Sequence, residues 1–250
     1  MPTLNASCDI FGAPGFSTDF CLTPDELAFI RQAVRAQWLR RIKKLAPQHV
    51  HVFAELPIER YHECSHLIDH KLAWPKAERL FAPSIVSALR GGPFIRSLES
   101  SFGPFAISNE ECLLPEEIYW RLVRPNCAGD VGSIHADAWF WELGHGKPIV
   151  NQTRVKVWVA LHCESGKNGF RLVRGSHRSN WPYSGERRDG FIKPVIGVDE
   201  SELNPELVNS APGQAIVFHD RLLHGGAPGG DTTRVSFEFT MLLDAQISAA

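Results

Sequence analysis

The stretch QAIVFHDRLLHGGAPGGDTTRVSFEF, residues 214–239, contains two strand-like runs separated by a turn-rich connection. QAIVFH and RVSFEF are rich in β-branched and aromatic residues, which is typical of strands. The intervening GGAPGGDTT predicts a turn that returns the chain as an antiparallel neighbour. Such a turn would bring Arg234 and Ser236, which share one strand face, close to His224. The stretch therefore predicts antiparallel β structure with a polar site at one edge.

Runs of similar composition occur from about residue 117 onward. They are short, rich in β-branched and aromatic residues, and bounded by Gly, Pro and Asn clusters. The five runs are IYWRLV (118–123), RVKVWVALH (154–162), FRLV (170–173), QAIVFH (214–219) and RVSFEFTMLL (234–243). This spacing predicts a β-sandwich or barrel, so the fold class is mainly β in this part of the chain.

The earlier part of the chain has sequence patterns that are typical of helices. Thr23 can cap a helix, and Glu26 three residues later completes a capping box. Apolar residues at helical spacing extend this predicted helix to about Lys44. Residues 57–72 and 76–100 also have helical patterns, interrupted by proline and glycine. We therefore expect helices to precede and support the strands.

Composition fits one globular domain spanning residues 1–250, with 44% hydrophobic and 22% charged residues. We expect residues 1–117 to form a mostly helical buttress and residues 118–243 to form the catalytic β core. No apolar run predicts an integral membrane segment or a secretory signal, and six cysteines without a CxxC pair favour a cytoplasmic location. The net charge of −2 gives no reason to expect a nucleic-acid partner.

One metal-binding motif is HECSH, residues 62–66, which has the spelling of a zinc-peptidase site. Zinc would be bound by His62 and His66 at the two ends of His62-Glu63-Cys64-Ser65-His66, with Glu63 as the general base. A zinc metallopeptidase is therefore one alternative function.

The zinc motif lacks a convincing third ligand. In its extended form Asp69 stands where glycine is required, and Leu72 where the third histidine is required. His70 continues a stripe with His62 and His66, but on a helix the three would span about 12 Å, too far for one metal ion. We expect a polar helix face with a structural role.

A second motif is IHADAW, which starts at Ile134. On an extended strand His135 and Asp137 would share a face, and His224 is available as a third ligand. Two histidines and one carboxylate match the facial triad of non-haem Fe(II) oxygenases. Arg234 and Ser236 could together bind a carboxylate near the metal.

With these residues the sequence resembles the Fe(II)/2-oxoglutarate-dependent dioxygenases, specifically the phytanoyl-CoA dioxygenase-like family. The matches are the HxD of His135 and Asp137, the distal His224, and Arg234-Val235-Ser236. VWVALHCESGKNGFRLVRGSHRSN (157–180) is also similar to the family's VWxAL…NG…PGSH stretch. The resemblance implies a double-stranded β-helix, a cupin-like jelly roll, buttressed by N-terminal α-helices.

The resemblance also implies the cofactors and the reaction. The three ligands would hold Fe(2+), Arg234 and Ser236 would bind the far carboxylate of 2-oxoglutarate, and Trp158 matches a family aromatic near this cosubstrate. O2 would complete a hydroxylation that releases succinate and CO2. Asp137 argues against the halogenase subgroup, which has Gly or Ala there. Desaturation or ring chemistry remains open, as does a non-catalytic jelly roll that only binds 2-oxoglutarate.

A substrate pocket is expected around the metal motif. The candidates are aromatic and cationic residues near it in the implied topology: Trp139, Trp141, Arg121, Arg171 and Arg174. Of these, Arg174 stands where the family has the Pro of PGSH. Such a lining would suit an anionic or hydroxyl-rich small-molecule substrate, such as a sugar acid or a phosphorylated or CoA-linked metabolite. The sequence leaves the oligomeric state open.

Overall fold

The computed structural model describes residues 5–109, 111–146, 151–188 and 190–244. Most of its helices precede residue 103. The α-helices are α1 (Asn5–Phe11), α2 (Pro24–Leu45), α3 (Val50–Glu55), α4 (Tyr61–Cys64), α5 (His70–Ala73), α6 (Pro83–Arg90), α7 (Pro93–Phe102), α8 (Ala138–Glu142) and α9 (Glu200–Leu203). Short 3-10 turns join several of them, including Ser65–Leu67 directly after α4.

The strands lie mostly in the second half of the chain. They are β1 (Phe16–Ser17), β2 (Ala106–Ile107), β3 (Tyr119–Val123), β4 (Gln152–His162), β5 (Gly169–Leu172), β6 (Tyr183–Arg188), β7 (Phe191–Ile196), β8 (Glu206–Leu207), β9 (Ala215–His219), β10 (His224–Ala227) and β11 (Arg234–Asp244). All five strand-like runs of the sequence are strands, so that prediction is confirmed.

The strands form antiparallel sheets. A six-stranded sheet has the order β1-β9-β4-β11-β2, with β3 also paired to β11. A three-stranded sheet has the order β10-β5-β8, and β6 pairs with β7 as a separate hairpin. Helices combined with antiparallel sheets agree with the expected fold class at this level. The finer jelly-roll topology and the division at residue 117 stay predictions.

The two faces of the six-stranded sheet have different neighbours. Its outer face, with Val157 and Phe237, shares one apolar core with the N-terminal helices, including Trp38 of α2. Its inner face carries Trp158, which packs with Phe170 of the three-stranded sheet. Because side chains alternate along a strand, every second residue of β4 and β11 points into the space between the two sheets.

Helix α2 follows its sequence signals closely. Thr23 caps it, and a reciprocal bond with Glu26 completes the capping box. The buried residues on its inner face are Ile30, Val34 and Trp38, followed by Ile42 in the last turn. The helix ends at Leu45, one residue beyond the predicted end.

The turn-rich connection after His224 differs from the prediction. β10 pairs with β5 in the three-stranded sheet, whereas β11 pairs with β3 and β4 in the six-stranded sheet. The expected antiparallel pairing of the two flanking segments is therefore wrong. A six-residue connection that contains two glycines crosses from one sheet to the other, and the side chain of Arg234 approaches Gly226 of β10 across the space between the sheets. Among the described residues, no helix is long and apolar enough to cross a bilayer.

Candidate metal centre and cosubstrate site

The backbone around His135 and Asp137 is not a strand, so that expectation is wrong. His135 forms an isolated antiparallel bridge with His224, in which each backbone N–H donates to the other's carbonyl at 3.0 and 2.9 Å. Asp137 has φ −63° and ψ −32° and precedes α8 as its N-terminal cap residue. A change from extended to helical backbone between the two residues still directs both side chains to one point.

The three predicted ligands converge on one point. Their donor atoms all lie within 4.8 Å of one another. His135 Nε2 is 3.6 Å from Asp137 Oδ1, and His224 Nε2 is 3.7 Å from Asp137 Oδ2. Within the described residues, no other group of three His, Cys, Asp or Glu side chains has this geometry.

Hydrogen bonds to the backbone select the tautomer of both histidines. His135 Nδ1 lies 2.8 Å from the carbonyl of Ser133, and His224 Nδ1 lies 2.9 Å from the carbonyl of Leu222. A carbonyl can only accept, so each Nδ1 must carry the proton and donate. Each Nε2 then keeps its lone pair and faces Asp137. Outer hydrogen bonds of this kind orient histidine ligands in metal sites.

The surroundings keep His224 and Asp137 in the protonation states that bind metal. Burial lowers the pKa of His224 to about 4, so this imidazole is neutral near pH 7. Burial raises the pKa of Asp137, but the charge of Lys156 and its two histidine neighbours outweigh it and hold that pKa well below its usual range. Lys156 Nζ lies 3.3 Å from Asp137 Oδ2. Neutral imidazole and ionised carboxylate are the ligating forms, so the donor set fits a divalent metal.

Arg234 lies on the inner face of β11 and is only 2% exposed. Its Nη1 donates to the carbonyl of Gly169 at 2.7 Å, while its Nε has no partner among the described residues. The guanidinium lies 5.6 Å from the ring centroid of Trp158, and burial lowers its pKa to about 10. A buried cation without an acidic partner is costly, so this arrangement fits an incoming carboxylate.

Gly226 makes room for this guanidinium. A Cβ at Gly226 would lie 3.1 Å from Arg234 Nη2 and 2.7 Å from Val131 Cγ1. Gly226 follows His224 by two residues on β10, so the arginine lies beside the candidate ligand His224. Ser236 is buried two residues after Arg234, on the same face of β11.

Comparison with known proteins bears on this arrangement. The sequence profile of the phytanoyl-CoA dioxygenase family (PhyH) matches residues 18–234, which is well over half of the chain. The chain belongs to the phytanoyl-CoA dioxygenase family. As a member of that family it is a non-haem iron oxygenase, and its cofactor and cosubstrates are Fe(II), 2-oxoglutarate and O2. A search of curated proteins finds no significant match.

Several solved structures have a fold similar to that of this chain. The non-heme monooxygenase ThoJ, in its apo form, aligns with a TM-score of 0.57 at 19% identity, over 95% of this chain and 77% of ThoJ. EvdO2 from Micromonospora carbonacea var. aurantiaca, complexed with 2-oxoglutarate, aligns at 0.56 and 16%, over 97% and 91%. The epimerase SnoN, in complex with Fe3+, alpha ketoglutarate and nogalamycin RO, aligns at 0.54 and 17%, over 96% and 83%.

The aromatic residues proposed for the substrate pocket of this family member are partly engaged elsewhere. Trp139 of α8 is buried and stacks on Tyr183, with ring centroids 4.6 Å apart. Trp141 lies under the guanidinium of Arg154 at 4.5 Å, and its Nε1 has no partner among the described residues. Both therefore connect α8 to neighbouring strands.

The three arginines proposed for the pocket lie in different places. Arg171 alternates with the inward Phe170 and Leu172 on β5, and it pairs with Glu200 at 3.0 Å. Arg174 is exposed and pairs with Glu206. Arg121 alone lies on the inner face of the six-stranded sheet, where β11 places Ser236 opposite it.

HECSH does not form the helical stripe that the sequence predicts, because α4 ends at Cys64 and a 3-10 turn follows. His62 Nδ1 lies 3.1 Å from Thr233 Oγ1, and Glu63 forms two bonds with Arg60. The motif therefore links the helical layer to the residue that precedes Arg234. The expected structural role agrees with these contacts.

His162, at the end of β4, and Glu164 spell a second possible ligand pair, HxE, but both side chains have other partners. A register shift between Val235 and Ser236 turns His162 to the outer face, where it lies 3.4 Å from Glu59. Burial lowers the pKa of His162 to about 4. Glu164 accepts bonds from the backbone of Thr232 and fixes the connection before β11.

Sequence reasoning missed two residues of the site: Lys156 and Gly226. Strand alternation could have found Lys156, because it precedes Trp158 by two residues. Gly226 carries no sequence signal of its own, since its role depends on where Arg234 approaches the chain.

Proposed function

We propose that His135, Asp137 and His224 hold the iron and that the enzyme hydroxylates an unactivated C–H bond of a small, polar metabolite. The observation that supports this most strongly is the convergence of two Nε2 lone pairs on one ionised carboxylate. A facial set of three protein ligands leaves three coordination positions for cosubstrates. Cytoplasmic localisation and a small-molecule partner belong to the same proposal.

Each residue of the proposed site has a defined part in this reaction. The backbone bonds of the two histidines fix their Nε2 atoms, and Lys156 holds one oxygen of Asp137. Arg234 and Ser236 bind the far carboxylate of 2-oxoglutarate, with Trp158 against the guanidinium. The fixed distance between ligands and arginine orients the cosubstrate, and preorganisation of this kind lowers the entropy cost of reaction.

Iron, when bound, supplies the redox chemistry that couples O2 to the decarboxylation of 2-oxoglutarate and to C–H oxidation. The overall reaction balances as substrate C–H, 2-oxoglutarate and O2 giving substrate C–OH, succinate and CO2. Asp137 supplies the third ligand that keeps the site a facial triad, which favours hydroxylation. The layer of α8 and the β6–β7 hairpin beside the ligands limits solvent access.

The test is an Asp137→Ala variant, reconstituted with Fe(II) under anaerobic conditions. We expect bound iron to fall from about one equivalent to near zero and succinate release to fall at least about a hundredfold, because one ligand and one charge are lost. Asp231→Ala removes an exposed carboxylate, which pairs with Lys167, and serves as the matched control. Unchanged iron content and succinate release in folded Asp137→Ala protein would refute the assignment.

A further inference from the structure

A charged pair lies on the inner face of the six-stranded sheet, beyond the residues assigned to iron and 2-oxoglutarate. It consists of Arg121 on β3 and Glu238 on β11, with Arg121 Nη2 3.5 Å from Glu238 Oε1. Glu238 is the inward-facing residue that follows Ser236 on its strand. The pair therefore continues the line of Arg234 and Ser236 along the same wall.

The strand register places this pair beside the metal ligands. Glu238 lies opposite Trp158 of β4, and the next inward residue, Thr240, lies opposite Lys156. Lys156 Nζ contacts both Thr240 Oγ1, at 2.9 Å, and Asp137 Oδ2, at 3.3 Å. Glu238 and Thr240 are therefore successive inward-facing residues of β11, and Thr240 is bonded to the lysine that contacts the proposed iron ligand Asp137.

The pair faces open space and is loosely joined. The side chains of Arg121 and Glu238 are 39% and 32% exposed. Glu238 lies on β11, between β4 and β3, whereas Arg121 lies on β3, which pairs with β11 alone among the described strands. A separation of 3.5 Å is at the limit of a hydrogen bond. Arg121 Nε has no partner among the described residues.

Both members carry their charge. Burial raises the pKa of Glu238, but the positive charges of Arg121 and Lys156 outweigh it and keep that pKa below its usual value. The pair is therefore a guanidinium donor beside a carboxylate acceptor, with no net charge between them. An anionic substrate group would compete with Glu238 for Arg121, and a cationic group would compete with Arg121 for Glu238. Either exchange weakens the pairing of Arg121 with Glu238 and leaves one of the two charges with less compensation.

An uncharged group with two neighbouring hydroxyls avoids this cost. One hydroxyl oxygen accepts from Arg121, and the other hydroxyl donates to Glu238, so both charges stay paired. We propose that Arg121 and Glu238 select an uncharged, vicinally hydroxylated substrate and hold it beside the metal ligands. The inference rests on the proposed function, and it narrows the substrate class from anionic or hydroxyl-rich compounds to neutral polyols and glycosides.

The test uses protein loaded with Zn²⁺ in place of iron and saturated with 2-oxoglutarate, so that no turnover occurs. Saturation-transfer NMR measures the affinities of myo-inositol and methyl β-glucopyranoside as uncharged probes, gluconate as an anion and glucosamine as a cation. We expect the wild type to bind an uncharged probe more tightly than either charged one. Glu238→Gln leaves Arg121 without its counter-charge, so it should gain about tenfold in preference for gluconate. Arg121→Gln should shift the preference toward glucosamine.

Glu206→Gln is the matched control, because it removes the carboxylate of an exposed Arg174–Glu206 pair and should leave all preferences as in the wild type. Thermal unfolding confirms that each variant is folded. The inference is overturned if no uncharged probe binds, if the wild type prefers gluconate, or if Glu238→Gln has the wild-type order of preference. If Arg121→Gln keeps the wild-type order of probe affinities but binds 2-oxoglutarate more weakly, Arg121 would be assigned to the cosubstrate and not to the substrate. The iron content of Asp137→Ala is measured in a separate experiment. Failure of the inference about Arg121 and Glu238 can therefore be distinguished from failure of the proposed function.

Discussion

Gly226 determines how closely the backbone of β10 can approach Arg234. A Cβ at this position would come within 2.7 Å of Val131 Cγ1, closer than real contacts allow, and within 3.1 Å of Arg234 Nη2. The guanidinium has its position because this residue of β10 has no side chain. The cosubstrate site thus depends on a residue that itself makes no polar side-chain contact.

Gly226→Ala should therefore lower 2-oxoglutarate affinity by roughly tenfold while leaving zinc binding intact, because the guanidinium must move. Calorimetric titration of 2-oxoglutarate into zinc-loaded protein measures this effect. Gly129→Ala is the control, since a Cβ there would meet nothing within 4 Å. Equal affinities in the two variants would show that Arg234 does not need the space beside Gly226.

At the scale of elements, the ligands lie where strands end and other structure begins. His224 begins β10, and Asp137 caps α8 immediately after the bridge at His135. The sequence IHADAWFW has no proline or glycine to mark a boundary, and its aromatic residues suit strands as well as helices. Residue type and order were enough to propose the three candidate ligands, but they did not predict the helical turn at Asp137.

The start of helix α2, in contrast, could be predicted, because residues that are close together in the sequence determine it. Thr23 Oγ1 accepts from Glu26 N at 3.2 Å, and Glu26 Oε1 also accepts from the backbone of Phe94 in α7. Thr23→Ala should cost about 1 kcal/mol in free energy of unfolding, measured by urea denaturation, with 2-oxoglutarate affinity unchanged. Ser100→Ala, on the exposed side of α7, should change it by less than about 0.5 kcal/mol. A loss in Thr23→Ala no larger than in this control would contradict the capping role.

At the scale of the whole molecule, strand identity was predictable and strand partnership was not. RVKVWVALH and RVSFEFTMLL are strands because their residue types favour pleated, half-buried surfaces. The crossing of residues 228–233 between two sheets follows from long-range packing, which a turn-rich sequence cannot specify. For the same reason the sequence placed five residues in one pocket, whereas the structure brings only Arg121 to the inner wall.

The charge pattern inside the molecule also emerges only at this scale. Lys156, Glu238 and Arg121 come from three strands that are distant in sequence, and pairing brings them side by side. Read along the chain, each is an ordinary charged residue of an alternating strand. Their proposed role follows from their position on the inner face of the sheet, which faces the candidate metal ligands.

The most direct test of the central claim is a crystal structure of the protein soaked with Mn²⁺ and 2-oxoglutarate, with the metal located by anomalous scattering. The account predicts one metal ion bound by Nε2 of His135, Nε2 of His224 and the carboxylate of Asp137. It also predicts the far carboxylate of 2-oxoglutarate on Arg234 and Ser236. A metal ion at any other place in the chain, or a cosubstrate carboxylate that leaves Arg234 unpaired, would contradict the account.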